Sequence, residues 1–573
     1  MSISTTETLS VETPDRPSLW NTSNLALGSL LLLVVTATPQ LVCMPVTNDV
    51  SYYDLQTRTV MRGGVLYRDI VEPNFPGVVW VHLTIRGMFG WSTEVLRVCD
   101  LILFGLTVTF LARFVSPVRF QLSFLLFLAY YSVSEWCHVQ RDLWLLLPTA
   151  VALNLRWAQI RRCAEAHPPA KIIFLFALLE GLIWGTGVWL KPHIVFPALA
   201  VWLCSLTQSA LRRHVFKDLT GLITGGILVG VLGTGWLYFK GAWPWFLEMQ
   251  LDWNREYLTD KTNNLQNYGY VVFSMVVRLF PYSFIHLVAV PTALALLIRQ
   301  DPKRNDSDKL RLQLLSTLYL AWCLQVLLLQ HPFDYVHFPP LLLGIVLLTF
   351  WIHCHQRFPR MLKTAAGSFV VLALICSPVT KPAYLKLWDD CLQQGSTGSI
   401  RNRLARIPFP DWEDMERVAD YLRRQQAQDN EITCYSNDLV HLFLYLDLEP
   451  STRYVYSNHH ATYFPSKQPA IYKALRNSPQ KYILTNLMTP GLLVSQAKEI
   501  SPEGPFSYSP AFPEDLKSNY PWNLPIAFRS GTLVVHQYPE KPIHKQTDTS
   551  ADKSTQPRSD EFSPRLEDVP PRE

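Results

Sequence analysis

The sequence is poor in charge. Only 17% of its 573 residues are Asp, Glu, Lys or Arg, and none falls between Arg16 and Asp49. A net charge of +5 on a chain that is 49% hydrophobic carries orientation information for a membrane protein and gives no reason to expect a nucleic-acid partner. Cysteine pairing motifs are also missing. Of the ten cysteines, Cys43, Cys99, Cys204, Cys323 and Cys376 lie in apolar segments and none forms a CxxC, which removes support for redox or zinc motifs. Cys391 and Cys434 alone share the polar C-terminal region, where an oxidising compartment would permit a disulfide. No Gly-rich phosphate loop follows any strand-like run, so nucleotide binding has no support. No small-residue cleavage site follows the first apolar run, which reads as a retained transmembrane helix.

Long apolar runs are what the sequence does have. Most of these stretches are roughly 15 to 23 residues long, and with their flanks they suffice to cross a hydrocarbon core of about 30 Å. They fall at Asn24–Val46, Val95–Ala112, Phe120–Ser134, Leu143–Leu155, Ile172–Leu190, Ile194–Ala210, Leu219–Phe239, Tyr282–Ile298, Leu312–Gln330, Phe338–His353 and Ala365–Val379. The expected fold is therefore a polytopic α-helical membrane protein of about 11 transmembrane helices.

With residues 1–20 as a cytoplasmic tail, one set of loops gathers Arg113, Arg119, Arg156, Arg161, Arg162, Lys171, Arg212, Arg213, Lys217, Arg299, Lys303, Arg304, Lys309, Arg311, Arg357, Arg360 and Lys363. This is a positive-inside pattern. It places the N-terminus in the cytoplasm, in an inner or plasma membrane, and everything after residue 382 outside. Residues 21–382 then form the transmembrane domain, 383–540 an extracytoplasmic α/β domain, and 541–573 a disordered tail rich in Pro, Ser, Asp and Lys.

In the C-terminal domain, Trp412, Met415, Val418, Ala419 and Leu422 recur at helical spacing behind Asp411, a suitable N-cap. Strands are expected at Ile432–Ser436, Arg453–Ser457, Tyr482–Thr485 and Thr532–Gln537.

The first outer loop, residues 47–80, is the richest in chemistry. Asp49 stands where the first helix leaves the membrane, and Val50–Arg62 suits a short interfacial helix stopped by Gly63 and Gly64. A second interfacial helix is expected over Val78–Phe89. Between them lies a turn-rich polar stretch with Tyr67, Arg68, Asp69, Glu72, Pro73 and Pro76.

These motifs resemble the GT-C superfamily of glycosyltransferases, which includes the protein O-mannosyltransferases and the lipid A aminoarabinose transferases. The shared pattern is an Asp after helix one, then GG-x-x-YRD (Gly63–Asp69) and a proline. Further similarities are the QRD of Gln140, Arg141 and Asp142, the GxxxGxxxxxKP phrase from Gly181 to Pro192, and the late loop QHPFDYVHFPP at Gln330–Pro340. The resemblance covers roughly residues 20–540. It implies transfer of a sugar from a polyprenyl- or dolichyl-phosphate donor to a lipid, glycan or protein acceptor outside the cytoplasm, with inversion. Asp49 is followed by Val50 where many relatives have a second acid, which leaves a divalent metal an open requirement and no cofactor certain.

The chemistry of such a transfer assigns roles. A carboxylate must accept the proton of the attacking hydroxyl, and cations must stabilise the departing phosphate. Asp49 is the candidate base, against the alternative of a helix-end aspartate solvated at the interface. Arg141, Lys191, His193, His331 and His337 are the phosphate-binding candidates; for Lys191 the competing role is snorkelling. Asp54, Arg68, Asp69 and Asp142 are acceptor or supporting candidates.

Arg97 with Asp100, and Glu180, lie within apolar spans at a cost of about 2.5 to 3.5 kcal/mol each. The first two, three residues apart, are expected to pair; Glu180 either lines the donor cavity or tethers a helix. Gly226 and Gly230 form a GxxxG suited to close helix packing. The aromatic loop Lys240–Tyr270 reads as sugar or lipid contact or as an interfacial belt. The alternatives to an enzyme are a transporter or flippase, against which no internal repeat is found, and a catalytically silent glycolipid-binding scaffold.

Overall fold

In an apolar solvent the backbone must satisfy its own hydrogen bonds, and long apolar runs do so as helices. The first two thirds of the chain form α1 (Thr22–Cys43), α2 (Asn48–Met61), α3 (Gly77–Phe89), α4 (Thr93–Phe114), α5 (Arg119–Ser132), the single turn α6 (Arg141–Trp144), α7 (Leu146–Ala166), α8 (Ala170–Leu190), α9 (Val195–Ser205), the single turn α10 (Ser209–Arg212) and α11 (Val215–Phe239). They continue through α12 (Trp243–Glu248), α13 (Asn254–Thr259), α14 (Leu265–Arg278), α15 (Ile285–Ile298), α16 (Asp306–Leu329), α17 (Asp334–Cys354) and α18 (Arg360–Cys376). This computed structural model describes residues 22–166, 168–259, 265–299, 305–330, 333–355, 360–407, 410–488 and 518–538. The expected tails at 1–20 and 541–573, and His331, lie outside the described residues.

Helices occupy every expected span. Among the described residues six, namely α1, α4, α8, α11, α16 and α17, are long and apolar enough to cross a membrane, and Pro192–Ser205, Tyr282–Ile298 and Thr364–Cys376 are shorter apolar helices.

Buried charge in the bundle is paired differently from expectation. Arg97 does not meet Asp100. Its guanidinium caps the end of α1 by donating to the carbonyls of Met44 (3.2 Å) and Pro45, while Asp100 accepts from Tyr130 Oη and Trp144 Nε1, each at 2.6 Å. Arg156 is no loop cation either, because α7 continues past it to Ala166. It is buried between Glu180 (2.8 Å) and Asp218 (2.8 Å), so Glu180 tethers α8 to α7 as a desolvated charge requires.

The close approach of α8 to α11 uses glycines, but not the expected ones. A Cβ at Gly181 would lie 2.2 Å from the carbonyl oxygen of Leu222, and one at Gly225 would lie 2.3 Å from that of Leu178. Nothing lies within 4 Å of a Cβ at Gly226 or Gly230; both line an open apolar groove instead.

The chain then folds through α19 (Pro382–Gln394), α20 (Gly398–Leu404), α21 (Trp412–Arg424), α22 (His441–Leu446), α23 (Ser457–Tyr463) and α24 (Gln468–Asn477), with β1 (Ile432–Cys434), β2 (Tyr482–Asn486), β3 (Ile526–Ser530) and β4 (Leu533–Gln537). The sheet order is β1-β2-β4-β3, parallel between β1 and β2 and antiparallel elsewhere. Asp411 caps α21 by accepting from Asp414 N at 3.0 Å. The expected strand at Arg453–Ser457 is absent. Arg453 is drawn instead to the first loop, donating to Tyr67 O at 2.9 Å and accepting from Val71 N at 3.0 Å. β3, which was not anticipated, pairs with β4.

Cys391 is remote from a disulfide with Cys434. Both are free thiols: α19 packs along α1 and sets Cys391 beside Cys43, whose Sγ donates to Cys391 O at 3.6 Å. Cys434 sits in the sheet, its Sγ donating to Leu439 O at 3.4 Å.

Candidate functional site

The site is built on the turn between α1 and α2. Thr47 caps α2 by accepting from Val50 N at 3.5 Å, which places Asp49 in the first helical turn, where the helix dipole favours an acid. The helix ends as expected at the glycines, in a Schellman arrangement: Gly64 N bonds Thr59 O at 2.8 Å and Gly63 N bonds Val60 O at 3.1 Å, with Gly63 at φ +91°.

Helix α2 does not lie half-exposed on an interface. Every residue from Val50 to Thr59 is buried. On one side Asp54 accepts from Arg86 and from His82 Nδ1 (2.8 Å) on α3. On the other side the C-terminal domain covers it. Ser51 Oγ meets His441 Nδ1 at 2.6 Å, Arg58 Nη1 donates to Phe443 O at 2.8 Å, and Tyr456 Oη donates to Asn48 O at 2.8 Å. Asp54 is thus a clasp between helices, and it is not among the cavity residues below. Arg68 and Asp69 pair with each other at 2.7 Å, with Asp69 also accepting from Val65 N at 2.7 Å, so they shape the loop at its surface.

A cavity of about 220 Å³ opens at the end of the first loop, against Pro73, Asn74 and Phe75. Its wall includes Arg141, Lys191, His193, Gln330, Phe333 and Tyr335. Three of the five phosphate-binding candidates are therefore brought together from separate segments. His193 Nε2 lies 2.8 Å from Leu329 O. Lys191 Nζ donates to Asp142 Oδ1 at 2.6 Å and to Gln330 Oε1 at 2.5 Å, which fixes its ammonium at the wall. Arg141 differs: among the described residues its guanidinium has no hydrogen-bond or ion-pair partner, and its Nε is buried. His337 is buried, 6% exposed, inside the bundle and does not line the cavity.

Asp49 faces the same cation. Burial raises its carboxyl to about 6, against the pull of Arg141, and Glu72 adds to the rise. A carboxylate poised near neutrality is suited to general-base work. Glu72 is itself raised by burial, opposed by Arg141, and is held by Asn74 N (2.7 Å) and Gln56 Nε2 (2.5 Å). Glu72 and Tyr335 were not recognised as site residues from sequence, although Glu72 stands in the polar stretch of the first loop. Tyr335, Asp49, Arg141 and Tyr53 share one electrostatic cluster. Among the described residues no group of three His, Cys, Asp or Glu side chains that could hold a metal is found.

The aromatic loop after α11 contributes to the cavity wall. A π turn at Met249–Trp253 directs Gln250 and Asn254 to the cavity, both donating to Pro73 O at 3.1 and 2.8 Å. Its indoles pack on the C-terminal domain, with Trp245 under Arg453 at 5.6 Å and Trp253 against Phe464 at 4.9 Å. Beside the cavity, and sharing Phe75 with it, runs an apolar groove of about 430 Å³ between α8, α9 and α11, lined by Trp184, Val188, Leu199, Ile223, Gly226 and Gly230 among others.

A scan of family models and a search of curated protein sequences find no match. Among solved structures the chain is similar to the crystal structure of ArnT from Cupriavidus metallidurans bound to undecaprenyl phosphate, with a TM-score of 0.51 and 12% identity over 90% of this chain and 98% of that one. The fold is therefore ArnT-like along nearly its full length, and the six apolar helices are those of an integral membrane protein.

Proposed function

We propose that this chain is an integral-membrane glycosyltransferase that moves a sugar from a polyprenyl-phosphate donor to an acceptor on the non-cytoplasmic side, by direct displacement with inversion. The observation that carries this reading is the unpartnered guanidinium of Arg141, at the wall of a cavity and in the field of Asp49. A guanidinium at a cavity wall with no hydrogen-bonded partner suits an anion, and a phosphate can meet it in bidentate fashion. The apolar groove next to the cavity suits an isoprenoid chain. The ArnT-like fold, and the undecaprenyl phosphate in that crystal structure, support the same donor class.

In the reaction the acceptor oxygen attacks the anomeric carbon as its proton passes to Asp49. The bond between that carbon and the phosphate oxygen breaks, and the polyprenyl phosphate leaves with its charge stabilised by Arg141, Lys191 and His193. Asp142 and Gln330 position Lys191. The positive-inside pattern of the loop cations supports a location of this chemistry outside the cytoplasm.

The test incubates the purified protein with radiolabelled polyprenyl-phosphate sugars and membrane acceptors, for wild type and Asp49→Asn. Transfer by wild type and its loss in the variant, with folding retained, is the expected result. Equal transfer by the two proteins removes Asp49 from the mechanism. Movement of substrate across sealed vesicles with no glycosidic bond formed makes the chain a transporter.

A further inference from the structure

The proposed mechanism uses neither of two buried charges in α4. Arg97 and Asp100 stand three residues apart, about 4.5 Å along the helix axis, and both are 0% exposed. At that spacing an ion pair between them is the simplest compensation for two desolvated charges. They form none. Arg97 turns to the end of α1, where its Nε and Nη2 donate to the carbonyls of Met44 and Pro45, and its Nη1 is left buried without a hydrogen-bond partner. Asp100 turns to α6, where its Oδ1 accepts from Trp144 Nε1 at 2.6 Å, while its Oδ2 accepts from Tyr130 Oη at 2.6 Å.

Each partner segment carries one half of the candidate site. Met44 and Pro45 lead into the turn whose Thr47 caps α2 and whose Asp49 is the candidate base. The last carbonyls of a helix have no partner within it, so the guanidinium supplies what the end of α1 lacks and fixes where that turn begins. Trp144 closes α6, the four-residue turn that opens with Arg141 and Asp142. A single helical turn does not hold itself together, because nucleation is unfavourable. The chain leading into it adds a cost of its own, since Val139 has φ +58°, a left-handed conformation that β-branched residues rarely adopt. Such a conformation persists where its surroundings over-determine it. Beside it Asp100, Tyr130 and His138 pack as one buried group, with the Tyr130 and His138 rings 4.5 Å apart and His138 Nδ1 3.8 Å from Asp100 Oδ2.

Resting on the glycosyltransferase reading, we infer that Arg97 and Asp100 are positioning residues: from one turn of α4, Arg97 fixes the segment of the base Asp49 and Asp100 fixes the segment of the phosphate cation Arg141. Neither lines the cavity of Arg141. The separation of base and leaving group is then set by one turn of a packed helix, and reaction rates are sensitive to displacements of that separation. The different targets give the two residues different signatures. Loss of Arg97 frees the turn and admits water to Asp49, whose carboxyl then falls from about 6 toward its ordinary 3.8. Asp49 shares its field with Arg141, Glu72 and the hydroxyl groups of Tyr53, Tyr335 and Tyr456, all of which remain. A purely electrostatic effect has the opposite sign, because removing a cation raises a carboxyl.

The experiment uses the full-length protein in nanodiscs, with native mass spectrometry of undecaprenyl phosphate binding and the pH profile of transfer from radiolabelled polyprenyl-phosphate sugars. Arg97→Met keeps the bulk and removes the donors. It is expected to lower kcat about 10²-fold, the loss that a displacement of about 1 Å causes, to move the rising limb of the pH profile downward from about 6, and to leave undecaprenyl phosphate binding unchanged. Arg97→Lys should recover part of both effects, because an ammonium still donates to carbonyls. Asp100→Asn is expected to leave the pH profile in place and to weaken undecaprenyl phosphate binding about tenfold, as for one lost hydrogen bond to a charged group. In an Arg141→Ala background it should weaken binding no further. Should Arg97→Met fail to fold, Arg97→Lys carries the test through a pH shift of the same direction; should Asp100→Asn fail, Trp144→Phe takes its place with the same coupling to Arg141. A pH profile unmoved or raised in the Arg97 variant, or an Asp100 effect that adds in full to that of Arg141→Ala, overturns the positioning assignment. Wild type that neither binds undecaprenyl phosphate nor transfers a sugar overturns the glycosyltransferase reading itself, and the inference with it.

Discussion

Lys191 and Asp142 are locked together: the ammonium lies 2.6 Å from the carboxylate, at a buried wall of the cavity. Arg141, the residue before Asp142, is left without a partner in the same cavity. On the proposed reading the two cations have different duties, Arg141 to meet the phosphate and Lys191 to be held in place beside it. Arg141→Ala should lower kcat/KM by about 10²- to 10³-fold, the range for losing one preorganised charge at a reacting oxyanion. Arg141→Lys should recover only part, because an ammonium cannot reproduce the bidentate fork. Asp142→Asn, which removes the carboxylate that holds Lys191, should act mainly on KM for the donor. Steady-state kinetics with a polyprenyl-phosphate sugar separates these outcomes, and an unimpaired Arg141→Ala enzyme would remove the phosphate role.

With Asp49 as the proposed base, its carboxyl sets the pH dependence. The base must be ionised, and burial raises its carboxyl to about 6, so kcat/KM should climb with pH through about 6 and level off above it. Since the folded value lies above the ordinary 3.8, ionisation disfavours the folded state. That penalty is absent below 3.8, grows as pH rises toward 6, and is complete beyond it. Asp49→Asn should therefore abolish transfer, by at least about 10²-fold, while keeping or raising Tm at neutral pH. A Tm that falls in the variant at pH 7 contradicts this account.

The clasp of Asp54 with Arg86 and His82 holds α2 against α3 and so positions the base without touching substrate. Burial pushes the Asp54 carboxyl up, but the hydrogen bonds and charges of Arg86 and His82 outweigh it and hold the group below its ordinary range. Arg86→Ala leaves the buried carboxylate with His82 alone, for which destabilisation of up to about 3 to 5 kcal/mol is expected. Thermal unfolding in detergent measures it. The stability that the clasp contributes should be present above the ordinary carboxylate value and vanish as pH falls through the depressed one.

The glycine contact between α8 and α11 makes a discriminating pair of substitutions. Gly225→Leu should separate the helices, because its Cβ would enter the backbone at Leu178. A Cβ at Gly226 meets nothing within 4 Å, so Gly226→Leu should fold normally, yet narrow the apolar groove that it lines and raise KM for long-chain donors. Expression with size-exclusion profiles, and donor chain-length dependence, check the two halves.

Apolar run length was enough to place the helices, because insertion energetics and helix capping act locally and leave a local trace. The Gly63 and Gly64 stop and the Asp411 cap were legible for the same reason. What the sequence could not decide was partnership. Arg97 lies three residues from Asp100, yet it caps α1. Cys391 shares a region with Cys434, yet lies beside Cys43. Gly226 and Gly230 have the packing spacing, yet Gly181 and Gly225 carry the contact. Each depends on which helix the fold brings alongside, and that is settled by packing over distances with no sequence periodicity. The gathering of Arg141, Lys191 and His193 around one cavity, and the burial that raises Asp49, are likewise properties of the tertiary structure, since desolvation belongs to the surroundings of a residue and not to the residue.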